Sequence, residues 1–198
     1  MKLNSGLRFR AVAQLAALAL AGVLFASTAS AQAPAATTAA TSASGVNWAT
    51  KTMEEIRQGA ERGDAVAQRV LANAYLTGQG MAQNLALAVQ WFRKAADQGH
   101  PLAQHQLGLM AAKGKCIPQD ATGAAGWFRK AGDQGYAESQ FELGLAYAGG
   151  LGVPRNKINA YRWLALAEQQ GHAKAAAELK TLAAKMSAFE ISEAKRKL

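Results

Sequence analysis

The chain has 198 residues, 22 Lys and Arg against 13 Asp and Glu, a formal charge of +9, and one cysteine. A single cysteine excludes a fold stapled by internal disulfides and a zinc site built on several thiolates. The positive charge is spread out except for Lys195-Arg196-Lys197 at the end, and no basic face interleaved with aromatics marks a nucleic-acid surface.

The first segment reads as a secretory leader. Lys2, Arg8 and Arg10 open it, Ala11 to Ala26 runs apolar without a charge, and Ala29-Ser30-Ala31 offers small residues to a signal peptidase. The apolar run of about 16 residues falls short of the ~20 that cross a bilayer as a helix, so cleavage near Ala31 is expected and an uncleaved anchor is the alternative. No cysteine follows the run, which argues against a lipid anchor, and Phe9 separates Arg8 from Arg10, which argues against a twin-arginine signal. The leader holds three of the basic residues and none of the acidic ones, so the remainder carries +6. The expected location is periplasmic or secreted. There the lone Cys116 is either buried or free to pair with a partner's thiol. Residues 32–47 follow, mostly Ala, Thr and Ser with one Pro, too poor in apolar groups to offset their ordering entropy; they read as a disordered spacer.

From residue 48 to 198 one period organises the chain. Gly63, Gly99, Gly135 and Gly171 are each 36 residues apart. The same step relates Trp91, Trp127 and Trp163; Leu71, Leu107, Leu143 and Leu179; Gln68, Gln104 and Gln140; and Gly78, Gly114 and Gly150. Agreement at so many positions marks tandem duplication, with units at about 64–99, 100–135 and 136–171 and a partial one at 172–198.

Each unit reads as two helices. In the third, Gln140, Leu143, Gly144 and Tyr147 share a helical face over 137–148. Gly149 to Pro154 cannot be helix interior. Asn156, like Asp120 and Asn84 before it, is placed to cap a second helix over about 157–170, which Gly171 ends. The repeated alanines let backbones come close, and the three in-phase tryptophans are expected to be the main buried wedges. One pair cannot hide its apolar face, so neighbours stack into a continuous core. The ends read as half-units: a second-helix remnant over about 48–62, a first helix over 172–185, and a short polar helix over 187–197. Arg57/Glu61, Arg93/Asp97 and Arg129/Asp133 recur in phase and predict exposed i,i+4 ion pairs.

No constellation of reactive groups emerges, and neither a catalytic residue, a metal nor a cofactor is expected. His100 and His172 occupy one register position two units apart, and His105 is off their common face. Glu138 and Glu142 on adjacent turns could pair as acid and base, but surface carboxylates at that spacing are far commoner. The glycine-rich loop at 149–154 lacks the Lys-Ser/Thr of a phosphate loop.

The repeated pattern is Leu-Gly, Tyr, Gly-x-Gly-Val-Pro, Asn or Asp, Ala, Trp-Phe-Arg-Lys-Ala and a closing Gly. The third unit shows it best, with Leu143, Gly144, Tyr147, Gly150, Gly152, Val153, Pro154, Asn156, Ala160, Trp163 and Gly171. It resembles the Sel-one-like repeat family, relatives of the tetratricopeptide repeat, over about 64–185. The second unit departs at Ala111 and at Cys116, where a glycine is usual, and the first has Ala72 after Leu71. The resemblance implies an all-α, right-handed α-α superhelical solenoid of about three helix-pair repeats with capping half-repeats. It also implies an adaptor that binds a partner protein or peptide, its first helices lining a concave face. On those helices the positions turned away from the core are Arg69, Asn73, His105, Leu109, Phe141, Leu145 and Thr181, the expected protein-binding set. Phe141 and Leu109 are the sharpest of these, and either could instead be core. A secreted effector acting on a host or neighbouring cell is the alternative function. An envelope hydrolase is a weaker one.

Overall fold

The computed structural model describes residues 45–196 and 198. The expected leader and nearly all of the spacer lie outside that range. Among the described residues a 3-10 turn at Trp48–Thr50 is followed by nine helices: α1 (Met53–Glu61), α2 (Ala65–Thr77), α3 (Leu85–Asp97), α4 (Pro101–Lys113), α5 (Ala121–Gly132), α6 (Ala137–Gly149), α7 (Lys157–Gln169), α8 (Ala175–Ala183) and α9 (Ala188–Arg196). The pairs α2–α3, α4–α5 and α6–α7 are the three units. Each stacks on the next through α3–α4, α5–α6 and α7–α8, which makes an all-α solenoid.

Local chemistry sets the boundaries. Asn84, Asp120 and Asn156 accept the backbone N–H of Leu87, Gly123 and Asn159 at 3.0, 2.9 and 2.9 Å, opening each second helix with a side-chain cap. Gly78, Gly114 and Gly150 end the first helices at φ 75°, 65° and 76°, a left-handed turn that costs a glycine little. Cys116 adopts φ 70° where the other units have Gly80 and Gly152, so the second unit carries a side chain in a conformation L-residues disfavour. The thiol is free and half-buried.

The stack ends differently from expectation. The helix expected over 48–62 is broken at Thr52, because Thr52 and Glu55 form a reciprocal capping box that starts α1 at Met53. Trp48, ahead of it, lies buried on Gly59, where a Cβ would come within 2.2 Å of the indole; the other units have alanine at that position. At the far end α9 packs on α7, burying Ala194 and half-burying Ile191. It is a lid on the third unit and not merely a polar tail.

The tryptophans are not the wedges. Trp91, Trp127 and Trp163 are half-buried, while the next residues, Phe92, Phe128 and Leu164, are 1%, 4% and 1% exposed. A helix turns about 100° per residue, so the centre of the buried face lies one position further on. Each wedge fills a gap left by a small residue. A Cβ on Gly108 would lie 2.5 Å from the Phe128 ring, and one on Gly144 2.8 Å from Leu164. The indoles lie at the edge, where Lys94 and Lys130 place their ammonium groups 4.0 and 4.2 Å over Trp91 and Trp127. None of the three in-phase ion pairs forms. Lys51 pairs with Glu55, Arg57 with Glu54 and Arg196 with Glu193 instead, and Arg129 donates to the Tyr147 hydroxyl. A solvated pair contributes too little to hold two long side chains in one place.

The repeated glutamine carries the joint between units. Gln68, Gln104 and Gln140 are buried, and each Nε2 donates to a main-chain carbonyl near the end of the preceding second helix: Ala60 at 3.1 Å, Ala96 at 3.1 Å and Gly132 at 3.0 Å. The same carbonyl already accepts the N–H of the glycine that closes its own helix, Gly63, Gly99 or Gly135, so the glutamine adds a second bond that comes from the next unit.

Phe128→Ala should destabilise the protein by ~3–5 kcal/mol in urea unfolding, a cavity at full burial, whereas Trp127→Ala should cost less than half as much. Equal losses would restore the indoles to the role of wedges.

Candidate functional site

The first helices α2, α4 and α6 present the candidate face. Of the seven expected positions, Asn73 and Thr181 are exposed, and Arg69, Leu109 and Leu145 are half-buried. His105 and Phe141 are each 8% exposed, which corrects their placement away from the core. Their cover comes from the next unit. Tyr136 meets the His105 ring edge-on at 5.1 Å, and His172 stacks on Phe141 at 4.2 Å and 20°. Tyr136 immediately precedes α6 and His172 lies in the turn before α8, so a free surface in one isolated unit becomes an interior surface in the stack. Arg69 and His100 are the corresponding pair in the first unit, and the guanidinium charge is felt at the His100 ring.

The polar groups buried here hold units together. His105 Nδ1 and Ser139 Oγ share a 2.9 Å hydrogen bond whose direction depends on the imidazole tautomer. Ser139 is 0% exposed, so no substrate reaches its hydroxyl. Burial, opposed by Glu138 and helped by Lys113, pushes His105 down from 6.5 to about 4; burial and then Arg69 do the same for His100. Both imidazoles are neutral at physiological pH. Tyr136 is raised to about 12, chiefly by burial and then by Glu138. Among the described residues no cluster of three or more His, Cys, Asp or Glu is arranged to hold a metal ion.

What remains open on this face is a recess that occurs twice. The first, about 150 Å³, is lined by Leu76, Gln106, Leu109, Met110, Lys113 and Lys115. The second, about 230 Å³, has Ala112, Glu142, Leu145, Ala146 and Leu151 at the matching positions, with Phe128 as its floor. Leu76/Ala112, Gln106/Glu142, Leu109/Leu145, Met110/Ala146 and Lys115/Leu151 each differ by the repeat step, so the stacking builds the same cleft at successive joints. Two expected residues, Leu109 and Leu145, are brought into it, while Arg69, Asn73 and Thr181 line neither recess. The rims differ in chemistry. Exposed Lys113 and Lys115 edge the first, and Leu151, 63% exposed, edges the second. Leu151 went unnoticed inside a turn, but the signal was there: a leucine stands where the other units have Gln79 and Lys115.

Comparison with known proteins agrees with this geometry. The Sel1 repeat family model matches residues 65–100, 101–136 and 137–172. The solved structure of c5321, described as a protective antigen present in uropathogenic Escherichia coli strains displaying an SLR fold, is 38% identical with a TM-score of 0.60; the match covers 62% of this chain and 26% of that one. This chain thus spans about a quarter of c5321. A Sel1 repeat protein from Oxalobacter formigenes is 36% identical over 65% of this chain and 97% of its own, with a TM-score of 0.63. Helicobacter pylori cysteine rich protein B, 19% identical over 66% and 98% of the two chains with a TM-score of 0.53, shares the fold. No curated protein matches the chain.

Because the unfolded chain takes up protons on His100 and His105 near pH 6.5 and the folded chain only near 4, thermal stability should fall as pH drops through that window. The double variant His100→Asn/His105→Asn should show a shallower fall in Tm between pH 6.5 and 4 than the parent.

Proposed function

The chain belongs to the Sel1 repeat family, and from that we propose that it is an exported adaptor that holds a partner protein or peptide on its first-helix face. Sel1 repeats generally serve as protein-interaction scaffolds. One observation carries the choice of face: an apolar cleft recurs at two joints in the same register, with side chains that the core does not need at its rim. A segment laid across the first helices would set an apolar side chain against Leu145 and Leu151 and an acidic one against Lys113 and Lys115. Asn73 and Thr181, exposed on the same helix class, extend the face, and Arg69 tunes it.

Export rests on the leader pattern of residues 1–31, and residues 32–47 serve as a spacer before the solenoid at 48–198. The burial of Trp48 supports that last boundary. Among the described residues no helix is long and apolar enough to cross a membrane. We place the cleaved protein in the periplasm or the medium, with an effector role the second reading. Catalysis finds little support in the site, because the Ser139–His105 pair is sealed in the stack.

Leu151→Asp with Lys113→Glu, both at exposed positions, should reduce crosslinked capture of a partner from envelope extract at least tenfold, about 1.4 kcal/mol of binding, with an unchanged circular dichroism spectrum. Undiminished capture would remove the recesses from the interface. Fractionation should find a chain beginning at Gln32 outside the cytoplasm; a full-length cytoplasmic form would end the export reading.

A further inference from the structure

The three unit joints are built to one plan, and the third lacks a piece. At the first, Gln98 Nε2 donates to Gln68 Oε1 at 2.7 Å; at the second, Gln134 Nε2 donates to Gln104 Oε1 at 2.8 Å. Each buried glutamine thus gives its N–H to a carbonyl and receives a primary amide from the end of its own unit. At the third joint Gln140 Nε2 donates to Gly132 O at 3.0 Å, which fixes the amide's orientation. Its Oε1 is buried with no donor, although the residue is only 4% exposed. Gln170, the counterpart of Gln98 and Gln134, stands exposed and makes no bond to it.

A cavity of about 360 Å³ opens at this joint, lined by Gly132, Asp133, Gln140, Arg162, Trp163 and Leu166. Two substitutions within the repeat open it. Gly132 stands where Ala60 and Ala96 stand, and a Cβ there would lie 3.3 Å from Trp163 and 3.5 Å from Gln140 Cγ. Leu166 replaces Lys94 and Lys130, whose ammonium groups cover the equivalent indoles. The result is a flat aromatic wall beside a buried acceptor. The rim holds one carboxylate and one guanidinium, which favours a neutral occupant.

We propose that this cavity binds a primary carboxamide, the side chain of an asparagine or glutamine presented by a partner protein, with its N–H donating to Gln140 Oε1 and its plane against Trp163. The chain itself supplies the template, since glutamine amides fill the two sister sites. This site is separate from the recesses on the first-helix face and stands or falls without them.

The test uses the full chain and capped amino acids as probes. Acetyl-glutamine-amide should give saturable NMR shifts at the Gln140 side-chain amide and the Trp163 indole, with a Kd on the order of 1 mM. Acetyl-glutamate-amide, nearly the same shape without the N–H donor, should give none, and free zwitterionic glutamine should bind more weakly than the capped form. The double variant Gly132→Ala/Leu166→Lys rebuilds the second joint's pattern and should abolish the shifts while Tm is held or raised. Absence of shifts, equal shifts with the glutamate probe, or shifts surviving in the rebuilt variant would overturn the proposal. Tighter binding of free glutamine would overturn the protein source. A change at the Gln140 amide on Gln170→Ala alone, without probe, would show the chain already fills the site itself and would overturn it too.

Discussion

The solenoid depends on a buried side-chain amide that reaches from each unit to the one before it. A carbonyl at the end of each second helix can take two donors, and the N–H of the closing glycine, Gly63, Gly99 or Gly135, is one of them. Gln68, Gln104 and Gln140 supply the second donor at the same place in each unit, reaching Ala60, Ala96 and Gly132. An apolar residue there would leave the carbonyl its glycine N–H but would lose the bond that ties one unit to the one before it. The bond therefore fixes the spacing between units, and the small-residue contacts of Gly108 with Phe128 and Gly144 with Leu164 fix it within them. Together they let three apolar clusters follow one another along the stack, bridged by half-buried Trp91 and Ile117.

This arrangement explains why the polar groups of the first helices are quiet. His105, Ser139 and Tyr136 meet at the seam between the second and third units, where burial holds the imidazole neutral and the phenol protonated. They act as joinery. The same stacking that consumes them creates the clefts beside Leu109 and Leu145, because the last turn of one first helix and the middle of the next cannot fill the space between them.

A repeated frame also allows its units to diverge locally at little cost. Changing Lys115 to leucine's position in the next unit, Leu151, turns a basic rim into an apolar one without touching the core. Where Gly132 stands for alanine and Leu166 for lysine, a buried acceptor lacks the donor that the sister joints supply. Recognition in such a protein lies in where the units differ, and folding lies in where they agree.

The period, the helix pairs and their caps were legible because they are local. A glycine in a left-handed turn, or an asparagine accepting from the first turn, depends on residues a few positions away. The leader and spacer are compositional readings of residues 1–47, of which 1–44 lie outside the described structure. Facing was harder to read. Whether Trp127 or Phe128 occupies the interior, and whether His105 and Phe141 look outward, depends on the angle at which a unit thirty-odd residues away lies across them. The ion pairs of Arg93 and Arg129 failed for a different reason: spacing on a helix permits a pair that solvation does not reward. The sequence by itself determined the repeat and hence the family and fold. Only the stacked structure decided which surface was left to bind, because burial in a solenoid belongs to the neighbour as much as to the residue.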